Sequence, residues 1–113
     1  MTEMTRRIVE TILSIPRGKV SSYRDVALAA GLPRGARQVV RVLHSLSEAY
    51  RLPWHRVVKA DGHIALDREN GGALQAALLR SEGVEVSEPV SDSGSGQVDL
   101  SRYNYFNPGA HEK

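Results

Sequence analysis

The sequence predicts a small, mostly α-helical domain with a winged helix-turn-helix fold. A length of 113 residues suits a single domain with one core. Apolar residues recur at helical spacing in several segments, and a glycine-containing turn joins two of the predicted helices. A short β-hairpin that follows these helices is expected to form the wing.

The first predicted helix spans residues 4–15, because apolar side chains recur there at helical intervals: Met4, Ile8, Ile12 and Ile15. Pro16 is expected to end it. Ser21 and Ser22 can cap a short second helix, which Gly31 stops.

A third helix is predicted from Pro33 to about Ala49. One of its faces is apolar: Ala36, Val39, Val40, Leu43 and Leu46. Another carries a polar row: Arg37, Arg41, His44 and Glu48. The second helix of a helix-turn-helix normally lies in a DNA groove, so this row is a potential DNA-binding face. The same pattern also suits an ordinary small helical bundle.

The pattern changes after Pro53. Residues 57–59 and 64–66 flank an Asp61-Gly62 turn, which predicts the hairpin wing. A final helix is expected to begin at Gly71-Gly72 and to end at Gly83.

The chain is therefore predicted to form one domain over residues 1–86. Residues 87–113 are predicted to be a flexible linker and C-terminal tail, because the segment SDSGSGQ has the composition of a linker. This tail also holds half of the aromatic residues, which would allow it to fold back onto the domain: Tyr103, Tyr105 and Phe106.

Cysteine is missing from the sequence, which excludes disulfides, thiolate metal ligands and cysteine nucleophiles. No metal or other cofactor is expected. The N-terminal segment lacks the features of a signal peptide, and 18 apolar residues never run together. We therefore expect a cytoplasmic protein with no membrane partner, and a monomer.

Positive charge is concentrated in one segment. Residues 17–59 contain nine basic and two acidic residues, a net charge of +7, whereas the whole chain carries only +2. Such a segment suits a surface that binds a polyanion, since Lys and Arg release counterions when they meet phosphates. A well-solvated helical surface would have the same composition.

Three segments together resemble the DNA-binding domain of the O6-alkylguanine-DNA alkyltransferases. They are IPRGKVSSYRDVALAAGLPRGARQVVRVL, LPWHRVVKADG and GGALQAALLRSEGV, which cover roughly residues 4–86. In that family the second segment contains Pro-Cys-His-Arg-Val, whose cysteine accepts the alkyl group. Here Trp54 replaces the cysteine, and the tail contains VDLSRY. Both features are typical of the alkyltransferase-like proteins.

The resemblance implies a function and a set of sites. The alkyltransferase-like proteins bind O6-alkylguanine in double-stranded DNA without repairing it and pass the lesion to nucleotide excision repair proteins. The matching positions imply a DNA-binding set: Ser22, Tyr23, Arg37, Arg41 and Lys59. They also imply a lesion pocket: Tyr23, Pro53, Trp54, His55, Arg56 and Glu82.

Individual roles follow from the same match. Arg37 corresponds to the family's arginine that fills the gap left by a flipped base, and Tyr23 to the tyrosine that pushes the target phosphate. His55 and Glu82 match the family's relay positions, and neither is assigned as catalytic. Leu46 stands where the family usually carries an asparagine, and residues 69–72 stand in the place of the pocket lid.

The chemistry of Trp54 supports binding without reaction. The lone pair of the indole nitrogen belongs to the ring, so this side chain donates a hydrogen bond but is not a nucleophile. Its flat apolar face suits contact with a base or an alkyl group. Trp54 could instead simply fill the core.

Two other functions are compatible with the residues. A sequence-specific winged-helix transcription regulator would read the major groove through Arg37, Arg41 and His44. An active alkyltransferase would need an acceptor other than cysteine. Preference for a lesion would indicate the recognition protein, and preference for a DNA sequence would indicate the regulator. A mass increase on the protein would indicate the alkyltransferase.

Overall fold

The computed structural model describes residues 1–106. The helices in this range are α1 (Glu3–Leu13), α2 (Tyr23–Ala29), α3 (Ala36–Tyr50), α4 (Gly72–Ser81) and α5 (Leu100–Tyr103). The strands are β1 (Ser21–Ser22) and β2 (Val57–Val58), and two 3₁₀ turns span Trp54–Arg56 and Arg68–Asn70. The four predicted helices are therefore present, together with a short fifth helix near the C-terminus.

Helix α1 forms one wall of the first core cluster. The Thr2 hydroxyl accepts a hydrogen bond from the Thr5 N–H and so caps the helix. Ile8 and Ile12 are fully buried, and they pack with residues of α2 and α3. The predicted burial is confirmed for these two positions and for Ile15, which lies beyond the observed end of the helix at Leu13, whereas Met4 is exposed.

Helices α2 and α3 pack against each other through the same cluster. Gly31 adopts a φ of +83° in the turn between them, a conformation that favours glycine. Helix α3 begins at Ala36 rather than Pro33, because a hydrogen bond from the Gly35 N–H to the Leu32 carbonyl closes a turn first.

The apolar face of α3 differs from the prediction at two positions, since it includes Val42 and lacks Val40. Val39 and Val42 are buried, whereas Val40 is exposed. At 100° per residue, Val40 is rotated away from the buried line that Val39 defines. This rotation places an apolar side chain on the outer surface of the helix.

The predicted hairpin forms only at its turn, where the Lys59 N–H donates to the His63 carbonyl at 2.9 Å, and residues 64–66 do not pair with β2. Strands β1 and β2 are parallel, with Ser21 opposite Val57 and Ser22 opposite Val58. The Asp61-Gly62 turn does form, because the Gly62 N–H donates to the Lys59 carbonyl at 2.8 Å.

From His63 onward the chain pairs with the C-terminal segment and does not continue the hairpin along β2. The Ile64 N–H donates to the Gly96 carbonyl at 3.0 Å, and the Val98 N–H donates to the Gly62 carbonyl at 2.9 Å. A Cβ atom on Gly62 would lie 2.1 Å from the Val98 carbonyl oxygen, so only glycine permits this approach. The partner strand comes from a distant part of the sequence, which local turn signals do not reveal.

Residues 93–106 are held to the rest of the protein by buried side chains and hydrogen bonds, which corrects the prediction of a flexible linker and tail over this range. Val98 and Tyr103 are buried in a second core cluster with Val20, Val58 and Leu79. The predicted folding back of the aromatic residues is thus confirmed for Tyr103 and for Phe106, which packs against the first core cluster, whereas Tyr105 is exposed. The remainder of the predicted tail, residues 107–113, lies outside the described residues.

Across residues 1–106, none of the helices is long and apolar enough to cross a bilayer.

Two neighbouring residues of α1 provide a test of the core. Ile12→Ala removes a fully buried side chain and is expected to lower the free energy of unfolding by about 2–5 kcal/mol. Leu13→Ala alters a side chain that is 49% exposed and should change it by less than about 0.5 kcal/mol. Urea denaturation measures both, and equal losses would contradict this description of α1.

Candidate DNA interface

A cavity of about 420 Å³ opens beside the exposed face of α3. Its walls come from the start of α2, from α3, from the 3₁₀ turn Trp54–Arg56 and from the start of α4. The apolar lining residues are Val40, Leu43, Trp54, Val57, Leu66 and Leu74. The polar ones are Tyr23, His44, Ser47, Asn70 and Gln75. The cavity combines apolar walls with a few polar groups, as small-molecule sites do.

The rim of this cavity is apolar and open to solvent. Val40, Leu66 and Leu74 are between 39% and 56% exposed although their side chains are large and apolar. Exposed apolar side chains grouped around a cavity are typical of a binding site. The exposure of Val40, which was predicted to be buried, is explained by its position in the cavity lining.

Two of the predicted lesion-pocket residues, Tyr23 and Trp54, line the cavity. Tyr23 is the first residue of α2, and burial raises the pKa of its phenol. The Trp54 ring meets the His55 ring edge to face at a centroid distance of 6.2 Å. Tyr23 and Trp54 therefore contribute aromatic surface to a cavity of otherwise mainly aliphatic apolar walls.

The other four members of the predicted pocket do not line this cavity. Pro53, His55 and Arg56 line a separate groove on the other side of Trp54, and Glu82 lies behind it. A 3₁₀ turn has three residues per turn, so consecutive side chains point in widely different directions. Trp54 lines both the cavity and the groove, whereas the His55 and Arg56 side chains bind Glu82.

Glu82 is the centre of a buried ionic cluster. Its Oε2 lies 2.7 Å from Nε2 of His55 and 2.7 Å from Nη2 of Arg56. The Arg56 Nε and the Gly18 N–H donate to Oε1 at 3.0 and 3.1 Å. Arg56 also donates through Nη1 to the Ile15 carbonyl at 2.8 Å. The cluster joins the end of α4, the 3₁₀ turn and the loop after α1.

The electrostatics of this cluster keep Glu82 ionised. Burial alone raises the pKa of its carboxyl, because only 5% of the side chain is exposed. Hydrogen bonds from Arg56, His55 and the Gly18 N–H outweigh burial and lower the pKa to about 2. Since a carboxylate only accepts hydrogen bonds, Nε2 of His55 carries the proton in this contact.

Gln75 of α4 binds the backbone of the Trp54–Arg56 turn and of the residue after it. Its side-chain amide is buried and donates to the carbonyls of His55 and Val57 at 3.1 and 3.0 Å. The backbone on both sides of Arg56 is thus tied to α4. Gln75 lines the cavity as well, so it is a site residue that sequence reasoning missed.

The structure removes Ser22 from the predicted DNA-binding set. Ser22 is 1% exposed, and its hydroxyl accepts the Asp25 N–H at 3.0 Å as the cap of α2. A buried capping hydroxyl does not reach a DNA phosphate. Ser22 instead determines where α2 begins, and hence where Tyr23 lies.

The predicted basic residues lie on the surface. Arg37 and Arg41 are exposed on α3, and Lys59 is exposed beside the Asp61-Gly62 turn. Arg37 precedes the cavity-lining Val40 and His44 by three and seven residues, so the three lie on one face of the helix. A cationic side chain therefore stands one turn before the cavity along the same helix face.

Leu66 and Leu74 were also missed as lining residues. Leu66 lies in the predicted hairpin and Leu74 in the predicted final helix. In such elements an apolar side chain predicts core packing. Of the lid positions, Asn70 and Gly71 line the cavity, whereas Glu69 faces a different depression. Leu46 packs against the first core cluster.

Residues 1–106 contain no group of three or more His, Asp or Glu side chains arranged to hold a metal ion.

Known proteins are similar to this chain in both sequence and fold. Residues 3–84 match the family described as 6-O-methylguanine DNA methyltransferase, DNA binding domain, and the chain belongs to this family. A DNA base-flipping protein of Escherichia coli K12 is 47% identical over 100 residues, which cover 88% of this chain and 72% of that protein.

Two further comparisons extend over almost the whole length. Alkyltransferase-like protein 1 of Schizosaccharomyces pombe is 34% identical over 104 residues, which cover 91% of this chain and 94% of that protein. The crystal structure of S. pombe Atl1 in complex with damaged DNA containing O6-carboxymethylguanine matches with a TM-score of 0.80 at 33% identity. This match covers 93% of this chain and 96% of that one. The resemblance to alkyltransferase-like proteins seen in the sequence is confirmed.

The lowered pKa of Glu82 predicts a pH dependence of stability. The folded pKa of about 2 lies below the ordinary value of 4.5, so Glu82 stabilises the fold above pH 4.5. This stabilisation is lost as the pH falls from 4.5 towards 2, and it amounts to about 3 kcal/mol at most. Glu82→Gln should therefore flatten the pH profile of the free energy of unfolding in this range.

The matched control is Glu85→Gln, which alters a carboxylate whose side chain is 75% exposed. Its profile should follow that of the unmodified protein. The free energy of unfolding is measured by urea denaturation at each pH. If Glu82→Gln leaves its dependence on pH between 4.5 and 2 unchanged, the cluster does not stabilise the fold as described.

Proposed function

We propose that this protein recognises O6-alkylguanine in double-stranded DNA, takes the damaged base into the cavity beside α3 and leaves the alkyl group in place. One observation carries the proposal: Trp54 lines the cavity in a chain that contains no cysteine. The cavity can receive a base, and the chain has no thiolate to attack it.

The geometry of α3 supports approach to DNA. Arg37 and Arg41 are exposed on the helix that also supplies Val40 and His44 to the cavity. In a helix-turn-helix protein the second helix enters a DNA groove, which would place the cavity mouth next to the bases. The net charge of +7 over residues 17–59 favours this approach through phosphate neutralisation.

The aromatic and aliphatic walls suit an extruded alkylated base. Flipping costs a few kcal/mol, and the cost is lower for a damaged pair, which favours the lesion over normal guanine. Contact between a base and an aromatic side chain such as Trp54 contributes about 1–3 kcal/mol of binding free energy. The exposed Val40, Leu66 and Leu74 offer apolar contacts for the added alkyl group.

Arg37 and Tyr23 have separate tasks in this proposal. The guanidinium of Arg37 is planar and can stack in the gap that the flipped base leaves. Tyr23 contacts the phosphate of the flipped nucleotide from the opposite edge of the cavity. The positions of both residues, at the start of α3 and of α2, are compatible with these tasks.

Dealkylation requires a nucleophile that this chain lacks. Alkyl transfer in proteins of this kind uses an ionised sulfur, and a hydrogen-bond donor such as the indole N–H does not replace it. His55 and Glu82, which match relay positions, are engaged with Arg56 in the buried cluster. The protein is therefore a binding protein and not an enzyme in this proposal.

The relatives support the same function. One is named a DNA base-flipping protein, and the matching crystal structure contains DNA with O6-carboxymethylguanine. A detector that leaves the lesion intact requires a repair system to act after it. We assign this step to nucleotide excision repair proteins, which the monomeric detector would recruit.

A titration with two duplexes of identical sequence tests the function. The duplex with one O6-methylguanine should bind more tightly than the undamaged duplex, and the fluorescence of the single tryptophan, Trp54, should change on binding. The intact mass of the recovered protein should be unchanged. Equal affinities would reject lesion recognition, a mass increase equal to the alkyl group would indicate an enzyme, and preference for one sequence would indicate a transcription regulator.

Arg37 is expected to contribute specifically to lesion binding. Arg37→Ala should lower the affinity for lesion DNA by about 1–3 kcal/mol, because an intercalated side chain is lost. The control is Arg51→Ala, which removes an arginine at the other end of α3. Equal losses for the two variants would show that Arg37 makes only a phosphate contact.

A further inference from the structure

The C-terminal segment contacts the part of the chain that carries Tyr23. We call residues 98–106 the C-terminal strap. The Val20 N–H donates to the Tyr103 carbonyl at 3.0 Å, and the Tyr105 N–H donates to the Val20 carbonyl at 2.8 Å. Both polar backbone groups of Val20 are thus bound by the strap, one residue before β1 begins.

A second contact joins the strap to the first turn of α2. The side-chain amide of Asn104 donates to Oδ2 of Asp25 at 2.7 Å, and Oδ1 of Asn104 accepts the Phe106 N–H at 3.2 Å. Asn104 is only 6% exposed, so both ends of its amide are satisfied within the protein. Asp25 lies two residues after Tyr23 in the same helix.

The strap itself is anchored firmly. Val98 and Tyr103 are buried in the second core cluster, and the Tyr103 hydroxyl accepts the Glu85 N–H at 3.2 Å. The Asp99 side chain caps α5 by accepting the Ser101 N–H. An anchored strap can hold the junction between β1 and α2 in a fixed position.

We propose that Asn104 is a positioning residue for lesion recognition: through Asp25 and the strap it holds the start of α2, and so places Tyr23 at the cavity. This inference rests on the proposed function. Because Tyr23 is the first residue of α2, a shift of that helix end moves a wall of the cavity directly. The strap therefore contributes to selectivity for the lesion without touching DNA.

Exchange of the hydrogen-bonding partners tests the pair. Asn104→Asp places two carboxylates opposite each other, and we expect the ratio of affinities for the O6-methylguanine duplex and the undamaged duplex to fall about tenfold or more. Combining Asn104→Asp with Asp25→Asn reverses donor and acceptor and should restore the ratio to within about twofold of the unmodified protein. Asn104→Ala, which adds no charge, should lower the ratio less than Asn104→Asp and provides a second variant if Asn104→Asp does not fold.

Ile12→Ala is the control for a general loss of stability, since it weakens the cluster against which Phe106 and Tyr23 pack but removes neither hydrogen bond of Asn104. At a temperature where circular dichroism shows all variants to be folded, it should leave the ratio unchanged. A ratio that stays the same in both Asn104 variants, or that falls equally in Ile12→Ala, overturns the inference. Failure of the double variant to recover the ratio overturns it as well.

A measurement without DNA separates this inference from the proposed function. Trp54 and Tyr23 line the same cavity, so acrylamide quenching of Trp54 fluorescence should increase in Asn104→Asp and return in the double variant. If the unmodified protein shows no lesion preference but quenching follows this pattern, the proposed function fails and the positioning of the cavity wall stands. If lesion preference is present and neither quenching nor the affinity ratio responds, the inference alone fails.

Discussion

The ionised carboxylate of Glu82 is the interaction on which the arrangement of the site depends. It joins three segments that are far apart in the sequence: the loop at Gly18, the turn that carries His55 and Arg56, and the end of α4. An ionised group at 5% exposure is tolerated only where hydrogen bonds replace its lost hydration. Arg56, His55 and the Gly18 N–H supply these bonds, so Trp54 is held on a turn whose next two residues are anchored.

A histidine and a glutamate in hydrogen-bond contact would ordinarily suggest acid–base chemistry. In this chain no cysteine accompanies them, and Arg56 shares the same carboxylate. The pair therefore acts on the architecture: it fixes the orientation of the turn, while Gln75 fixes the turn's backbone from α4. The residues that match a relay therefore hold the turn that supplies Trp54 to the cavity wall. The parallel pairing of β1 with β2 completes the arrangement by placing the residue before Tyr23 opposite Val58.

The local features were predictable because they arise from neighbouring residues. The spacing of Ile8 and Ile12, the capping serine before α2 and the glycine at the end of that helix act within a few residues of chain, and the corresponding elements formed. The same holds for the Asp61-Gly62 turn. The placement of Trp54 in the family resemblance also followed from a short contiguous motif. Pairing between residues far apart in the sequence could not be predicted from these local signals. Residues 62–64 contact residues 96–98, where the sequence had predicted the continuation of a hairpin.

Residue types and short-range patterns thus established the helices, the concentration of basic residues, the lack of a thiol and the family resemblance. Tertiary structure alone decided which side chains meet. It placed Val40 at the cavity and gave Ser22 a capping role. It also joined His55 and Arg56 to Glu82 and folded the strap against Asp25. These outcomes depend on packing and on the satisfaction of buried polar groups by distant partners, and such constraints appear only when the whole chain is assembled.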